Sequence, residues 1–189
     1  MKLIYIIVKF IVFPGSYMRG FWEHLTCRIL RLPVEPVGYV RLDEASGHVE
    51  HSLPKTQFAS YLMAVGPGFM NFNMGLIFFL YGFINTYYMG ATVYDSAVLY
   101  VIYIICMYIG ASMLNCVFPL TEDILNYWSI AYGGAADYRR NGAEKTRDLV
   151  GKILGFPIAL IARVGAFLEK NCIIFILWIA FAVWMIFFR

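Results

Sequence analysis

Charge is scarce in this chain. Asp, Glu, Lys and Arg together make up 14% of its 189 residues, where a soluble domain carries about 25%. So little charge cannot cover a water-facing surface, which excludes an ordinary soluble globular enzyme or binding domain. Histidine is rarer still, with only His24, His48 and His51. The four cysteines, Cys27, Cys106, Cys116 and Cys172, stand far apart with no CxxC pair. That excludes a zinc ribbon and a disulfide-stapled secreted scaffold, and reads as reduced, buried thiols. Gly and Pro show no period, so collagen-like and low-complexity classes fall away as well. The net charge of +3 is too mild to point to nucleic acid.

What the chain has instead is apolar length. Hydrophobic residues make up 61% of it and aromatic residues 18%, with a mean hydropathy of +0.68. These values predict an integral membrane protein of one domain, since a bilayer crossing needs about 20 consecutive apolar residues. The pattern predicts an all-α membrane protein with about four transmembrane helices, a small cytoplasmic β-hairpin and interfacial helices. A broken first span covers residues 1–31, where Pro14 and Gly15 interrupt the α ladder and a second helix starts near Ser16. A signal peptide is the competing reading of Lys2 and the run after it, but no small-residue cleavage site follows. Residues 33–56 alternate in Val37-Gly38-Tyr39-Val40-Arg41-Leu42 and again in Gly47-His48-Val49-Glu50-His51, which predicts the hairpin. Span 2 is expected over 58–84, broken at Gly66-Pro67-Gly68, and span 3 over 93–118. Residues 119–170 form an interfacial segment with amphipathic helices over 121–136 and 149–168, the second lying along the bilayer. Span 4 covers 172–188.

The basic residues sort into two places. Arg28, Arg31, Arg41 and Lys55 lie between spans 1 and 2, and Arg139, Arg140, Lys145, Arg147, Lys152, Arg163 and Lys170 between spans 3 and 4. The positive-inside rule puts the hairpin and the 119–170 segment in the cytoplasm and the 85–95 loop on the opposite side. Arg139, Arg140, Lys145 and Arg147, next to the small-residue run Gly133-Gly134-Ala135-Ala136, are the expected contacts with acidic lipid or a partner. Tyr81, Tyr87, Tyr88, Tyr94, Tyr100, Tyr103 and Tyr108 read mainly as interfacial anchors. Asn71, Asn73 and Asn115 need amide partners at membrane depth, which implies a polar interior between spans 1, 2 and 3.

Four short islands carry a resemblance, in order along the chain: Phe13-Pro14-Gly15 leading to Trp22-Glu23-His24; Gly47-His48-Val49-Glu50-His51 with Pro54; Gly66-Pro67 to Asn71; and Phe118-Pro119-Leu120-Thr121-Glu122-Asp123. Together they resemble the small site-2-protease-like integral membrane zinc metallopeptidases. In that family a Phe-Pro-Gly-like entry leads into HExxH on a membrane helix, and a later segment supplies a carboxylate ligand. HExxH works because two His residues at i and i+4 grip zinc from one helix face while the Glu activates the bound water. Counted from Gly15, those positions hold Arg19, Gly20 and Glu23, and His24 lies about 100° round the helix from their face.

The departure implies a catalytically inactive metallopeptidase-like protein, a pseudoprotease, kept as a structural or adaptor subunit of a membrane complex. Its expected partners are the lipid bilayer and other membrane subunits or further copies of itself, with no nucleic acid, no cofactor and no metal. Arg19, Glu23 and Asp123 are expected to form a structural charge cluster where the family holds its metal. An alternative is an active intramembrane zinc metallopeptidase with non-standard ligands drawn from His24, His48, His51 and Asp123. On a strand, however, His48 and His51 face opposite ways. A small pore or carrier is a further alternative, weakened by the absence of paired repeats.

Overall fold

The computed structural model describes residues 2–34, 49, 51–133 and 142–187. Among them every named element is a helix: α1 (Lys2–Ile11), α2 (Phe13–Ile29), α3 (Gln57–Phe83) continued by a π-helical turn (Ile84–Tyr88), α4 (Ala97–Asn115), α5 (Thr121–Tyr132), α6 (Gly142–Lys170) and α7 (Ile173–Phe187). The expected hairpin segments lie almost wholly outside the described residues. Its two ends do meet, in an isolated antiparallel bridge between Val34 and His51.

Local chemistry accounts for the helix starts. The hydroxyls of Thr56 and Ser96 accept from the backbone N–H groups of Ala59 and Leu99 at 3.3 and 3.4 Å, capping α3 and α4. Glu122 and Asp123 occupy the first turn of α5, where the helix dipole favours negative charge. Pro14 does not delay α2 to Ser16 as expected. It sits in the first turn of a helix that begins at Phe13, where its missing N–H costs nothing. Nor do Gly66-Pro67-Gly68 break α3, which runs unbroken through them. Gly68 serves close approach there, because a Cβ on it would collide with the carbonyl of Val117. Neighbouring elements that pack this tightly let a membrane helix keep an internal Pro.

Three helices are long and apolar enough to cross a bilayer: Gln57–Tyr88, Ala97–Asn115 and Leu149–Lys170. The last coincides with the helix expected over 149–168 to lie along the bilayer. The expected fourth span is helix α7, 15 residues long and so only about 22 Å at 1.5 Å per residue, short of the roughly 30 Å hydrocarbon core. Large apolar side chains such as Phe69, Ile77, Val98, Phe167 and Ile176 are exposed on the outside. Such a surface suits lipid.

The helices α2, α3 and α4 form the central bundle, with α5 and α6 packed on the first half of α3. Ala64, Ile124, Tyr127, Ala131, Ala159, Ala162 and Ala166 make the α3–α5–α6 core, with Tyr61, Trp128 and Tyr132 packed on it. Small residues on α6 let it lie close to α5, and the Arg163 guanidinium covers the Trp128 ring at 5.1 Å. The α2–α3–α4 crossing is fixed by polar contacts to backbone. Asn71 Nδ2 donates to the carbonyls of Gly15, Cys116 and Met113 at 3.0, 3.1 and 3.4 Å. The Ser112 hydroxyl donates to the Val12 carbonyl and accepts from the Gly15 N–H, both at 2.8 Å. Asn71 thus meets the expectation of an amide with interior partners. Asn73 instead bonds back to Phe69 on its own helix.

Candidate metal centre

The buried face of α2 carries Gly15, Ser16, Arg19, Gly20, Glu23, Thr26 and Cys27. Arg19 and Glu23 are one turn apart on it, as their spacing predicts. The first turn of α5 brings Asp123 to the same region, and the chain entering α3 brings His51. Donor atoms of Glu23, His51 and Asp123 all lie within 4.8 Å of one another. His51 Nε2 stands 3.5 Å from Glu23 Oε1 and 3.6 Å from Asp123 Oδ1. The second oxygen of Glu23 accepts the Val49 N–H at 3.3 Å, which fixes the carboxylate.

The far side of the imidazole sets its protonation. His51 Nδ1 lies 3.1 Å from the carbonyl of Ser52. A carbonyl only accepts, so Nδ1 carries the hydrogen, and in the neutral ring Nε2 presents its lone pair toward two carboxylates. Lone-pair atoms this close repel one another unless positive charge lies among or beside them. One candidate is a proton. Burial disfavours the charged ring, but hydrogen bonding to Glu23 and to the Ser52 carbonyl, with the field of Asp123, outweighs it and pushes the His51 pKa up to about 9. The other is a metal ion. Ligands held about 2.1 Å from a tetrahedral zinc are roughly 3.4 Å apart, close to the observed 3.5 and 3.6 Å, whereas strong N–H···O bonds span about 2.7–3.2 Å. The Nδ1 contact to a backbone carbonyl is also the outer bond that metal-ligating histidines commonly make.

A second group of charges lies beside the first. Glu169, at the end of α6, receives Lys9 Nζ at 2.5 Å and Arg19 Nη1 at 3.4 Å on the same oxygen, Oε1. Lys9 Nζ also comes within 4.0 Å of Cys116 Sγ, which lies 3.5 Å from the Ser16 hydroxyl.

The expected cluster of Arg19, Glu23 and Asp123 is therefore drawn differently. Glu23 and Asp123 converge on His51, while the Arg19 guanidinium reaches Glu169. Of the other expected ligands, His24 is half-buried and outside the converging group, and His48 lies outside the described residues. So do Arg139 and Arg140, and for Lys145 and Arg147 only the helical backbone is described. Lys9 and Glu169 were missed in the sequence. The available signal was that Lys9 is the one charge in the first apolar run and Glu169 the one acid after Asp148. Lone charges in apolar stretches need partners. Compared with known proteins, the chain matches no family model, no curated protein and no solved structure.

Proposed function

We propose that this chain is an integral membrane protein built around a divalent metal centre at Glu23, His51 and Asp123, and that it acts as a membrane-embedded metal-dependent hydrolase. One observation carries the reading: the lone-pair face of His51, set by its bond to the Ser52 carbonyl, points at two buried carboxylates at spacings that fit a shared ion. Three protein ligands among the described residues match the ligand number of catalytic zinc sites, which keep a fourth position for water. A bound dication lowers the pKa of that water to about 7. In this reading the metal cage has moved rather than vanished. Glu23 takes the place of the second His of HExxH, Asp123 that of the family carboxylate, and His51 supplies the imidazole that position 19 lacks. The resemblance to site-2-protease-like enzymes makes the peptide bond the favoured substrate class.

A second reading, an inactive structural or adaptor subunit, is favoured by Gly20, which stands where HExxH has its general base. There His51 bridges the two carboxylates as an imidazolium, and the partners are lipid, other membrane subunits or further copies of the chain. Elemental analysis of protein purified in mild detergent separates the two. The metal reading expects about one transition ion per chain, lost in His51→Ala and Asp123→Ala and kept in His24→Ala. It also expects cleavage of an added membrane-soluble fluorogenic peptide that stops with a chelator. Wild-type protein that holds no ion, even after incubation with zinc or cobalt, overturns that reading in favour of the adaptor.

A further inference from the structure

The helix α7 is packed far more lightly than α3 and α4 are on each other. It leans on α3 through the Phe79 ring, which meets Trp178 edge-on at 5.2 Å and Phe181 at 6.4 Å. Between α7 and α4 lies a cavity of about 350 Å³. Its floor is a row on α3 and the π-helical turn, Phe79, Phe83 and Tyr87, with successive rings stacked at 5.7 and 5.1 Å. Ile104 and Ala111 lie at the ends of the α4 wall, and Trp178 and Met185 at the ends of the α7 wall.

The dimensions of the cavity restrict its occupant. Floor and walls each run seven or eight residues along a helix, about 10–12 Å at 1.5 Å per residue. The cavity is therefore a slot, and 350 Å³ over that length leaves roughly 30 Å² across. A helix with its side chains is about 10–12 Å wide, so a helix of a second copy does not enter. A chain of methylenes does: at roughly 30 Å³ each, the space of a water molecule, about a dozen fill the slot. Water itself does not settle there, because a buried water needs about two to four polar partners. The slot has no charged side chain in its lining, and the Tyr108 hydroxyl is spent on the Ile11 carbonyl at 2.6 Å. Left empty, the slot would forfeit dispersion contacts on every wall. Two of the helices that line it, α3 and α4, are long and apolar enough to cross a bilayer, whose acyl chains run the same way as the walls.

We infer that the slot between α3, α4 and α7 holds one acyl chain of a membrane lipid, which supplies the packing that α7 lacks against α4. Tyr87 lies in the last turn before Met89, at the loop end of α3, so the chain hangs from the leaflet on that side. With no charge in its lining, the slot recognises the chain and not the headgroup. The inference rests on the membrane reading above and is independent of the metal centre.

The test uses the full chain, in detergent micelles and in vesicles, with a phosphatidylcholine that carries a diazirine midway along one acyl chain. Mass spectrometry maps where it attaches. In micelles, labelling of Phe79, Met107 and Met185 on the slot walls should saturate at about one lipid per chain. Unlabelled phosphatidylglycerol of the same chain length should compete as well as phosphatidylcholine, whereas a short-chain phosphatidylcholine that cannot fill the slot should not compete. Ala111→Phe and Ala182→Phe each put a ring into the slot and should lower wall labelling about tenfold, the size of loss that overpacking brings. Labelling of the outward Val98 and Ile176 should not change. Either variant decides if it folds; if neither folds, the chain-length competition in wild type decides alone. Wall labelling overturns the inference if it rises without saturation in step with Val98 and Ile176, survives both substitutions, or depends on the headgroup. Exclusion of the probe by a second copy, seen as crosslinks between the α7 helices of two chains, overturns it as well. A chain that alkaline carbonate strips from the vesicles fails the membrane reading itself, while one that stays embedded without a saturable site fails this inference alone.

Discussion

Lys9 and Glu169 are separated by 160 residues in the chain, and their side chains meet as a buried ion pair with 2.5 Å between Nζ and Oε1. The contact ties α1 to the end of α6, and Arg19 on α2 joins it from the side. Both side chains are nearly inaccessible, so the two partners are unequal when removed. Loss of Lys9 leaves Glu169 with Arg19, whereas loss of Glu169 takes one shared carboxylate from two buried cations at once.

The first prediction follows from that inequality. Glu169→Ala should destabilise the fold by about 3–5 kcal/mol, the usual cost of stranding buried charge, and Lys9→Met by clearly less. Thermal unfolding in detergent, followed by the far-ultraviolet helix signal, measures both. Equal small losses would place the pair in contact with water.

Metal binding should itself be visible as stability. An ion that binds only the folded chain adds about 4 kcal/mol at a free concentration near a thousand times its dissociation constant. The unfolding temperature should therefore rise with zinc and fall with a chelator, and Asp123→Ala should abolish the response. The same rise in Asp123→Ala as in wild type would show that zinc binds elsewhere.

Asn71 holds three backbone carbonyls from two other elements. Replacing it with Leu keeps the size and removes the donors, so Asn71→Leu should cost about 1–3 kcal/mol. The loss should appear as faster proteolysis near Gly15 and Cys116. Asn73→Leu, whose amide bonds only within its own helix, should be close to neutral.

Gly15 is required for the approach of α2 to α4, since a Cβ on it would run into the carbonyl of Ser112. Gly15→Val should push the helices apart and cost about 1–3 kcal/mol, as overpacked contacts do. Disulfide trapping between cysteines introduced on α2 and α4 reports the separation directly. Unchanged trapping would show that the backbone absorbs the side chain.

Orientation in the bilayer is a prediction from the basic residues alone. In a cysteine-free background, cysteines placed at Ser46 and Asn141 should label from the cytoplasmic side and one at Thr92 from the other. Labelling of all three from one side would refute the assignment of sides.

That three helices are long and apolar enough to cross a bilayer follows from composition, because the scarcity of charge acts at every position whatever the packing. The starts of α3 and α5, expected at 58 and 121, were legible within a residue, whereas α4, expected from 93, begins only after the Ser96 cap. Capping by Thr56 and Ser96 and the acids of the first turn of α5 act within a few residues of themselves. Spacing alone put Arg19 and Glu23 on one face of α2, since four residues is one helical turn. Beyond that reach, tertiary structure decided. Pro67 and its flanking glycines looked like a break and proved to be a place where α3 meets the carbonyl of Val117. Their meaning depended on a neighbour fifty residues away. Glu23 and Asp123 do lie close together, with His51 Nε2 within 3.6 Å of both and Arg19 in electrostatic range of both. Which further side chain reaches two carboxylates depends on where the chain returns, and His51 returns beside Val34 at the foot of α3. Lys9 and Glu169 each stood out as a lone charge. Only the folded chain could show that each is the other's partner, because an ion pair joining the two ends of a sequence leaves no periodicity to read.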